Sequence, residues 1–278
     1  MYKKTIIIRL AGGLGNQIFQ LGAGLYIAKK LTIKTIVIDD NALDSYDVKR
    51  KNELCRFFYL KSNEATVFRI TSFLVKLRLP IHMPLKFTFW PFVGDKNFHI
   101  VLNAKSGSFR LLDGYFQSCL DQNDFNNMVN ILSAIQIKMV TKNIDSSVCV
   151  VHIRGNDFIK LGWDKLAPSS YYKNSINIMK NKYSVKKFII VTDDPKYAGS
   201  IINLNDNKFI VQSKNVYDDF FTISSYSKRI LSTSTYALWA SALGINDENG
   251  AVIAPKYLSP NVKRPFLLPN EITNEINL

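Results

Sequence analysis

The pattern of apolar and polar positions predicts a chain built from two successive α/β halves. In the first half, a β-branched run at Thr5–Leu10 precedes a loop over residues 11–16, apolar residues at helical spacing over Gln17–Lys30, and a second run at Thr35–Asp39. Such runs are typical of strands, and the 3.6-residue spacing is typical of a helix. We therefore expect the chain to open as strand, loop, helix and strand.

From about residue 146 the alternation becomes regular. The predicted strands are Val148–Ile153, Phe188–Val191, Phe209–Val211, Ile230–Leu231 and Ala251–Ala254. The predicted helices are Ser170–Tyr183, Pro195–Ile202, Val216–Ser225 and Tyr236–Leu243. Short apolar strands that alternate with helices favour a parallel, doubly wound sheet.

The length of the chain agrees with this division into halves. A domain averages about 150 residues, so the 278 residues predict two domains that each bury a core. The polar stretch Ile137–Ser147 is the predicted link. We accordingly expect an N-terminal domain over 1–140 and a C-terminal domain over 141–278.

Composition and charge narrow the class of protein. Hydrophobic residues make up 47% and charged residues 21%, which excludes a disordered chain. The formal net charge of +14 favours an anionic partner such as a phosphate, nucleotide, nucleic acid or acidic membrane. Residues 49–110 hold twelve Lys and Arg against three Asp and Glu, interleaved with apolar residues. This stretch fits either an anionic bilayer or a solvated basic face over an ordinary core.

The cysteines and the apolar runs bear on location. Cys55, Cys119 and Cys149 are odd in number and widely spaced, which favours a reducing cytosol over a disulfide framework or a zinc site. A membrane span needs about 20 consecutive apolar residues, and no stretch of the sequence has them. We expect a cytoplasmic protein, with peripheral contact to the inner membrane through residues 49–110.

Polar residues follow three predicted strands of the second half. His152, Arg154 and Asp157 come at or after the end of Val148–Ile153, and Asp193 and Asp194 follow the next strand. Ligands of parallel sheets bind outside the carboxyl ends of the strands. Arg154 can grip a phosphate bidentately, and a carboxylate can accept from the edge of guanine. The alternatives are a structural histidine and helix N-caps.

Hydroxyl residues complete this group of strand ends. Ser232–Thr235 follow the strand around Ile230, and a predicted helix begins at Tyr236. Ser234 and Thr235 can offer hydroxyls and helix-terminal N–H groups to a phosphate, or can act as ordinary caps.

The segment Gly12-Gly13-Leu14-Gly15-Asn16-Gln17 is a second candidate phosphate cradle. Glycines let backbone N–H groups approach an anion, and the helix N-terminus adds about half a positive charge. The alternative is a tight strand-to-helix turn. Ile18 stands where a dinucleotide fingerprint has its third glycine, which argues against that motif.

Taken together, these segments resemble the motifs of the α-1,2-fucosyltransferases, glycosyltransferase family eleven. The matching segments, in order along the chain, are 12–17, Asp113–Ser118, His152–Asp157, Pro168–Tyr172, Val191–Asp194, Ser234–Tyr236 with Trp239, and Val252–Lys256. The sequence departs from the family at Gly155, where a second arginine belongs, and at Leu238, where one of two tryptophans belongs.

The resemblance implies an α/β, GT-B type fold with two Rossmann-like domains facing a cleft, the first for the acceptor and the second for GDP-fucose. It also implies an inverting enzyme without metal or cofactor that transfers L-fucose to the 2-hydroxyl of a galactoside. By resemblance, His152 and Asp193 contact guanine or its surroundings, Arg154 the β-phosphate, Ser234 and Thr235 phosphate, and Asn16 the leaving group. Gly13, Gly15, Gln17, Asp157 and Tyr236 complete the expected donor site, and Asp113 is a candidate catalytic base.

The expected partners are GDP-fucose and a galactose-terminated acceptor, with lipid-linked O-antigen or capsule repeats as the setting. One alternative is transfer of another sugar from its nucleotide. A nucleic-acid-binding protein is an alternative of another class, supported by the net charge but by no binding motif, so no nucleic acid is expected. A nicotinamide-dependent oxidoreductase, supported by Asp39 after the second strand, is the remaining one.

Overall fold

The computed structural model of the chain describes residues 5–40, 43, 50–60, 66–69, 92–99, 109–136, 145–203, 206, 208–211 and 213–272. The chain folds as two compact units, Met1–Ile137 and Lys138–Leu278. Most of the basic stretch 49–110 and most of the expected link 137–147 lie outside the described residues. Within the described ranges, no helix is both long and apolar enough to cross a bilayer.

The first unit holds a five-stranded parallel sheet with helices packed on it. Its strands are β1 Thr5–Arg9, β2 Thr35–Asp39, β3 Thr66–Arg69, β4 Phe92–Val93 and β5 Phe109–Leu112. Its helices are α1 Leu14–Lys30 and α2 Gln122–Ile135, with 3₁₀ turns at Leu54–Arg56 and Asp95–Asn97. The strand order is β3-β2-β1-β5-β4. Because β1 pairs with both β2 and β5, the order reverses at β1.

Helix α1 lies close to the sheet because small residues face it. A Cβ atom at Gly24 would lie 2.2 Å from Cδ1 of Ile8 on β1, and one at Gly22 would lie 2.7 Å from Cε of Met128 on α2. The helix begins at Leu14, three residues before its predicted start, because extended Gly13 is already its N-cap. The glycine loop is therefore short and leads directly from β1 into α1.

The second unit repeats the architecture. Its strands are β6 Val148–Ile153, β7 Lys187–Thr192, β8 Phe209–Val211, β9 Lys228–Ile230 and β10 Ala251–Ile253, followed by the hairpin β11 Tyr257–Ser259 and β12 Val262–Lys263. Its helices are α3 Asp157–Lys160, α4 Ser169–Tyr183, α5 Pro195–Ile201, α6 Val216–Ser225 and α7 Thr235–Ala242, with a 3₁₀ turn at Trp163–Leu166. The order β8-β7-β6-β9-β10 is parallel throughout and reverses at β6.

A buried arginine fixes the helices around β9. Arg229 is fully buried, and its guanidinium donates to the carbonyls of Ile223 at 2.8 Å and Ser224 at 3.2 Å, near the end of α6. It also donates to the carbonyl of Ser241 at 3.1 Å, in the last turn of α7. The carboxyl end of a helix carries partial negative charge, so the cation suits both helix ends. Arg229 thereby anchors α7, whose other end belongs to the candidate site.

Candidate functional site

Arg154 follows β6 directly and is held by two carboxylates. Its guanidinium contacts Asp157 at 2.9 Å and Asp193 at 2.8 Å, and it lies over the ring of Phe158 at 5.4 Å from the centroid. These partners come from the loop after β6 and from the end of β7. The two strand ends that the sequence pointed to are therefore joined by one cation, whose side chain stays 28% exposed.

The two consecutive aspartates after β7 have different tasks. Asp193 accepts from the N–H of Gly155 at 2.8 Å with one oxygen and pairs with Arg154 through the other. Asp194 is the N-cap of α5 and accepts from the N–H of Tyr197 at 3.0 Å. The structure thus separates a residue that faces the site from a helix cap, which the sequence left open.

Gly155 lies where the backbone comes very close to Asp194. A Cβ atom at residue 155 would lie 2.5 Å from Cβ of Asp194, a distance that no side chain tolerates. The next residue, Asn156, has φ 40° and ψ −108°, and its side chain donates to the carbonyl of Asp193 at 2.7 Å. Positive φ at a non-glycine residue stores strain and persists where its surroundings enforce it. The turn after β6 is therefore fastened tightly to the end of β7.

His152, the penultimate residue of β6, is buried and uncharged. Its Nδ1 atom is hydrogen-bonded to Oγ of Ser232 at 2.8 Å, and its ring lies 6.1 Å from that of Tyr236. Burial, followed by the charge of Arg154, lowers the pKa of His152 to about 3, against an opposing effect of Asp193. The histidine joins the ends of β6 and β9, the two strands at which the sheet order reverses.

The hydroxyl cluster stands at the N-terminus of α7. Ser234 is the N-cap, but its side chain makes no capping hydrogen bond, and the first turn of α7 holds no acidic residue. The hydroxyl of Thr233 is buried and, within the described part of the chain, has no hydrogen-bond partner. Thr235 begins the helix. An uncapped helix N-terminus lined by hydroxyls is suited to an anion.

Tyr236 and Asp219 close the other side of this cluster. The Tyr236 hydroxyl donates to the carbonyl of Val216, and burial together with the charge of Asp219 raises its pKa. Burial also raises the pKa of the Asp219 carboxyl, against the hydrogen bond from the N–H of Lys214, and the charge of Asp193 adds to the rise. Asp219 was not expected from the sequence, because it looks like any acidic residue in the first turn of a helix.

The glycine loop of the first unit is stabilised by the buried side chain of Gln17. Gly12 has φ +74°, which favours glycine, whereas a Cβ atom at Gly13 would meet nothing within 4 Å. Gln17 is buried and donates to the carbonyls of Gly12 at 3.1 Å and Lys51 at 2.9 Å. Its amide therefore shapes the loop. Gly15 is buried in the first turn of α1.

Two amide side chains connect this loop to the one that follows β5. Asn16 accepts from the side chain of Gln117 at 2.9 Å. Gln20 is buried, accepts from the N–H of Ala11 at 3.0 Å and donates to the carbonyl of Gly114 at 3.1 Å. The loops after the two neighbouring strands β1 and β5 are thereby tied together. Gln20 carries no sequence signal, since a polar residue in a helix usually faces solvent.

Arg9 makes a charged cluster across three neighbouring strand ends. It pairs with Asp39 at the end of β2 at 3.2 Å, and with Asp113 after β5 at 2.7 Å. Asp39 is buried, so the residue that supported a nicotinamide site is an ion-pair partner of Arg9. The candidate base Asp113 is also an ion-pair partner, at the mouth of the same cluster.

The predicted residues therefore form one group in each unit. Those of the second unit are His152, Arg154, Asp157, Asp193, Ser234, Thr235 and Tyr236, and those of the first are Gly13, Gly15, Asn16, Gln17 and Asp113. Among the described residues, no group of three or more His, Cys, Asp or Glu side chains could hold a metal ion. The chemistry of the second group, one guanidinium, hydroxyls and a helix N-terminus, suits a phosphorylated ligand.

Comparisons with known proteins identify the family and the fold of the chain. The chain is 25% identical to the O-antigen biosynthesis glycosyltransferase WbnK of Escherichia coli, with 95% of this chain and 98% of that protein covered. It is 23% identical to an α-1,2-colitosyltransferase of the same species, with 90% and 91% covered. The NodZ α-1,6-fucosyltransferase crystallised with GDP aligns over 88% of this chain and 93% of its own, with a TM-score of 0.56 and 14% identity.

The likeness to NodZ shows that the chain has the GT-B fold, as the sequence predicted. The family model for glycosyl transferase family 11 matches residues 95–265, a segment that contains most of the described second unit and the loop after β5. The family that the motifs resembled is thus confirmed. This chain belongs to glycosyltransferase family 11.

Proposed function

We propose that this glycosyltransferase transfers L-fucose from GDP-fucose, with inversion, to the 2-hydroxyl of a galactoside in a bacterial surface polysaccharide or oligosaccharide. The observation that carries the proposal is the group around Arg154, at the point where the second sheet reverses its order. A nucleotide diphosphate needs a cation, hydroxyl donors and backbone N–H groups, and this edge of the sheet offers all three.

In this proposal the reaction is driven by stabilising the leaving group. The bond between C1 of fucose and the β-phosphate oxygen breaks with oxocarbenium character, and the electron pair leaves with GDP. Arg154 and the N-terminus of α7 stabilise the negative charge that builds on the diphosphate. Preorganised donors of this kind are usually the largest single contribution to catalysis.

The two carboxylates around Arg154 limit the ways in which its guanidinium can bind a diphosphate. Because Asp157 and Asp193 already pair with the guanidinium, a diphosphate adds itself to an ion-paired cation or displaces one carboxylate. Asp157, on the short helix α3, is more exposed than Asp193, at 38% against 24%, and is therefore the partner that is easier to displace. Asp193 stays in place and is the better candidate for guanine.

The identity of the sugar is the part of the proposal with a specific competitor. Fucose and colitose differ at C3, where fucose has a hydroxyl and colitose has none, and one relative is a colitosyltransferase. Transfer of colitose from GDP-colitose is therefore the second candidate function.

The expected absence of a metal also belongs to the proposal, and turnover that is unchanged by EDTA would support it.

The acceptor proposal rests on the relatives. WbnK is named for O-antigen biosynthesis and the other relative for α-1,2 transfer, which supports an O-antigen acceptor and an α-1,2 linkage. The galactoside of a lipid-linked repeat is proposed from the family resemblance, and cytoplasmic location with peripheral membrane contact from the cysteine pattern and the charge of residues 49–110. Neither nucleic acid nor a cofactor is expected to take part.

The experiment that tests the proposal is incubation of the full chain with GDP-fucose or GDP-colitose and a panel of small galactosides, followed by linkage analysis of the product. We expect a fucosyl-α-1,2-galactoside. Exclusive turnover of GDP-colitose would move the assignment to the second candidate. No transfer from either donor would contradict both.

A thermal-shift screen separates the remaining alternatives. A ligand at 100 times its Kd stabilises the folded state by about 2.7 kcal/mol. We expect GDP and GDP-fucose to raise the melting temperature and NAD and NADP to leave it unchanged. A shift with NAD alone would favour an oxidoreductase. Steeply salt-dependent retention on DNA or RNA, without a GDP shift, would favour nucleic-acid binding.

A further inference from the structure

A surface rich in lysine lies at the amino ends of β7 and β8, on one side of the second sheet. It is formed by the last turn of α4, the start of β7 and the residue before β8, and its lysines are Lys180, Lys182, Lys186, Lys187 and Lys208. All of them except Lys180 are exposed. Two aspartates lie among them, Asp145 near the start of β7 and Asp206 at the N–H of Lys208. The lysine surface therefore has a clear excess of positive charge.

Backbone pairing brings the lysines of the two strands together. The N–H of Phe188 donates to the carbonyl of Lys208 at 2.7 Å, and Phe188 pairs with Phe209 in the register of the strands. Lys187 and Lys208 are therefore cross-strand neighbours. Lys180 joins them from α4, with Nζ 5.7 Å and 5.6 Å from the centroids of the two phenylalanine rings. Like charges on neighbouring strands repel each other, so an anionic partner would stabilise this arrangement.

Exposed aliphatic side chains border the lysine surface. Ile210 and Val211 on β8 are 48% and 42% exposed. Residues two apart in a strand share a face, so Ile210 lies on the face of β8 that continues from Lys208. Lysines beside exposed aliphatic side chains are typical of proteins that bind the surface of an anionic bilayer, where the ammonium groups meet the lipid headgroups.

The kind of cation favours a lipid surface over a nucleic acid. The cations that the structure describes in this surface are all lysines. An arginine matches the fixed geometry of a phosphate with its planar fork, whereas lysine is a flexible point charge. Headgroups that diffuse in a bilayer have no fixed geometry, and lysine suits them.

The lysine surface is far from the Arg154 group within the same unit. Strand β7 begins at Lys187 and ends at Thr192, and Asp193, which pairs with Arg154, follows directly. Its six residues span roughly 17 Å at about 3.3 Å per residue. A large partner could therefore cover the amino ends of β7 and β8 and leave the Arg154 group open to solution.

The opposite side of the same sheet edge is acidic. Asp247 and Glu248 are exposed and precede β10, the outer strand on that side. An anionic surface is thus attracted at β7 and β8 and repelled near β10. The charge pattern favours one orientation of the second unit on such a surface.

We propose that the lysine surface docks the second unit on an anionic phospholipid bilayer, with the lysines among the headgroups and Ile210 at the boundary with the acyl chains. The inference goes beyond the proposed function, since docking requires neither a donor nor an acceptor. It concerns a different part of the chain from the basic stretch 49–110, none of whose residues contributes to the lysine surface.

The test compares two triple variants of the full chain that lower the net charge equally. The first replaces Lys186, Lys187 and Lys208 by Gln. The matched control replaces three exposed lysines that follow the carboxyl ends of β6, β7 and β10 by Gln, namely Lys165, Lys196 and Lys263. Binding is measured by sedimentation with vesicles of phosphatidylglycerol and phosphatidylcholine, and with phosphatidylcholine alone.

The two variants should differ strongly. Each lysine near an anionic bilayer contributes roughly fivefold in binding, so we expect the first variant to bind the mixed vesicles about 100-fold more weakly. Charges more than about 10 Å from the bilayer are largely screened at 0.1 M salt, so the control should lose less than about threefold. Ile210→Ser should weaken binding by a smaller factor, and wild-type protein should not bind phosphatidylcholine alone.

Four outcomes would overturn the docking surface. They are no binding of wild-type protein to the mixed vesicles, equal losses in the two triple variants, an equal 100-fold loss of binding to duplex DNA in the first variant, and aggregation of that variant with vesicle binding intact. The last would assign the lysines to protection of the β8 edge. We expect both triple variants to retain the melting-temperature shift with GDP. Absence of that shift in wild-type protein would contradict the proposed function and leave the docking result standing.

Discussion

The two units differ in the order of their last two strands and in the chemistry beside their central strands. In both, the first strand lies at the centre of a parallel sheet, and the order reverses beside it. In the second unit that position offers an uncapped helix N-terminus and hydroxyls, which favour an anion. In the first it offers a pair of carboxylates around one arginine, which favours hydroxyl donors. The fold supplies the location, and the residues that follow each strand decide what binds there.

The arginines that follow the central strands make the comparison concrete. Arg154 and Arg9 each pair with two carboxylates, but Arg9 is anchored by a buried aspartate, whereas both partners of Arg154 remain accessible. An anchored cation positions its partner, and a cation with a displaceable partner can accept a ligand. The same residue type therefore predicts different tasks.

The largest expected effect separates these two arginines. Removing one preorganised donor typically costs about 10²–10³ in rate. We expect Arg154→Ala to lower the transfer rate at least about 100-fold and to weaken the GDP-induced thermal shift. Arg9→Met should spare that shift. Near-normal turnover in Arg154→Ala, measured with saturating acceptor, would remove the basis for placing the diphosphate in the second unit.

A second prediction compares two glycines. Gly155→Ala places a Cβ atom 2.5 Å from Asp194. Overpacking of this kind costs about 1–3 kcal/mol, and we expect that loss in the free energy of unfolding. Gly13→Ala is the matched control, because a Cβ atom there meets nothing within 4 Å, and the loss of a glycine cap should cost less than about 1 kcal/mol. Chemical denaturation measures both. Equal losses would show that the turn after β6 tolerates a side chain.

The same crowding bears on the arginine that the family has at position 155. Gly155→Arg meets the side chain of Asp194, the α5 cap, before its guanidinium can reach a phosphate. We expect it to destabilise the protein without tightening GDP binding, and a lower Kd for GDP by calorimetry would contradict this.

A third prediction concerns pH and the second unit. The folded pKa of His152, about 3, lies below the ordinary value of 6.5, so the unfolded state binds the proton first on acidification. The neutral, buried side chain of His152 contributes fully to the free energy of unfolding above pH 6.5, and this contribution is lost as the pH falls toward 3. At pH 5 the free energy of unfolding is lower than at neutral pH by about 2 kcal/mol on this account. We expect His152→Gln to flatten the pH dependence of unfolding over this window.

The smallest effect per residue concerns the basic stretch. Each Lys or Arg near an anionic membrane contributes about 1 kcal/mol, or roughly fivefold in binding. Replacing Lys76, Arg78 and Lys86 by Gln should weaken binding to phosphatidylglycerol vesicles in sedimentation assays and leave the GDP shift intact. A parallel loss of GDP binding would show that the charge of this stretch serves the donor.

Much of the fold followed from local patterns. The bounds of β6, β8 and α6 agree with the sequence prediction to the residue, because apolar runs rich in β-branched residues and capped amphipathic helices leave strong local signals. The short strands β3 and β4 and the insertion of β5 between β1 and β4 were not predicted. Sheet order depends on pairings between distant residues, and one sequence does not encode these in any local pattern.

In the candidate site, too, local patterns predicted some residues, whereas contacts between distant residues were not predicted. Strand ends identified Arg154, Asp193 and the hydroxyls before α7, since topology places such residues at one edge. The arginine clusters were not foreseen, because nothing local to Arg9 indicates Asp113, 104 positions away. Whether Asp193 or Asp194 caps α5 likewise depended on backbone geometry that the sequence does not reveal.

The amide of Gln20 has a consequence for protein engineering. Because the amide forms hydrogen bonds to both Ala11 and Gly114, it holds the turn after β1 and the turn after β5 in a fixed position relative to each other. Here a graft of residues 113–118 alone would discard the register that Gln20 imposes, so the unit of exchange is that loop together with the opening turns of α1.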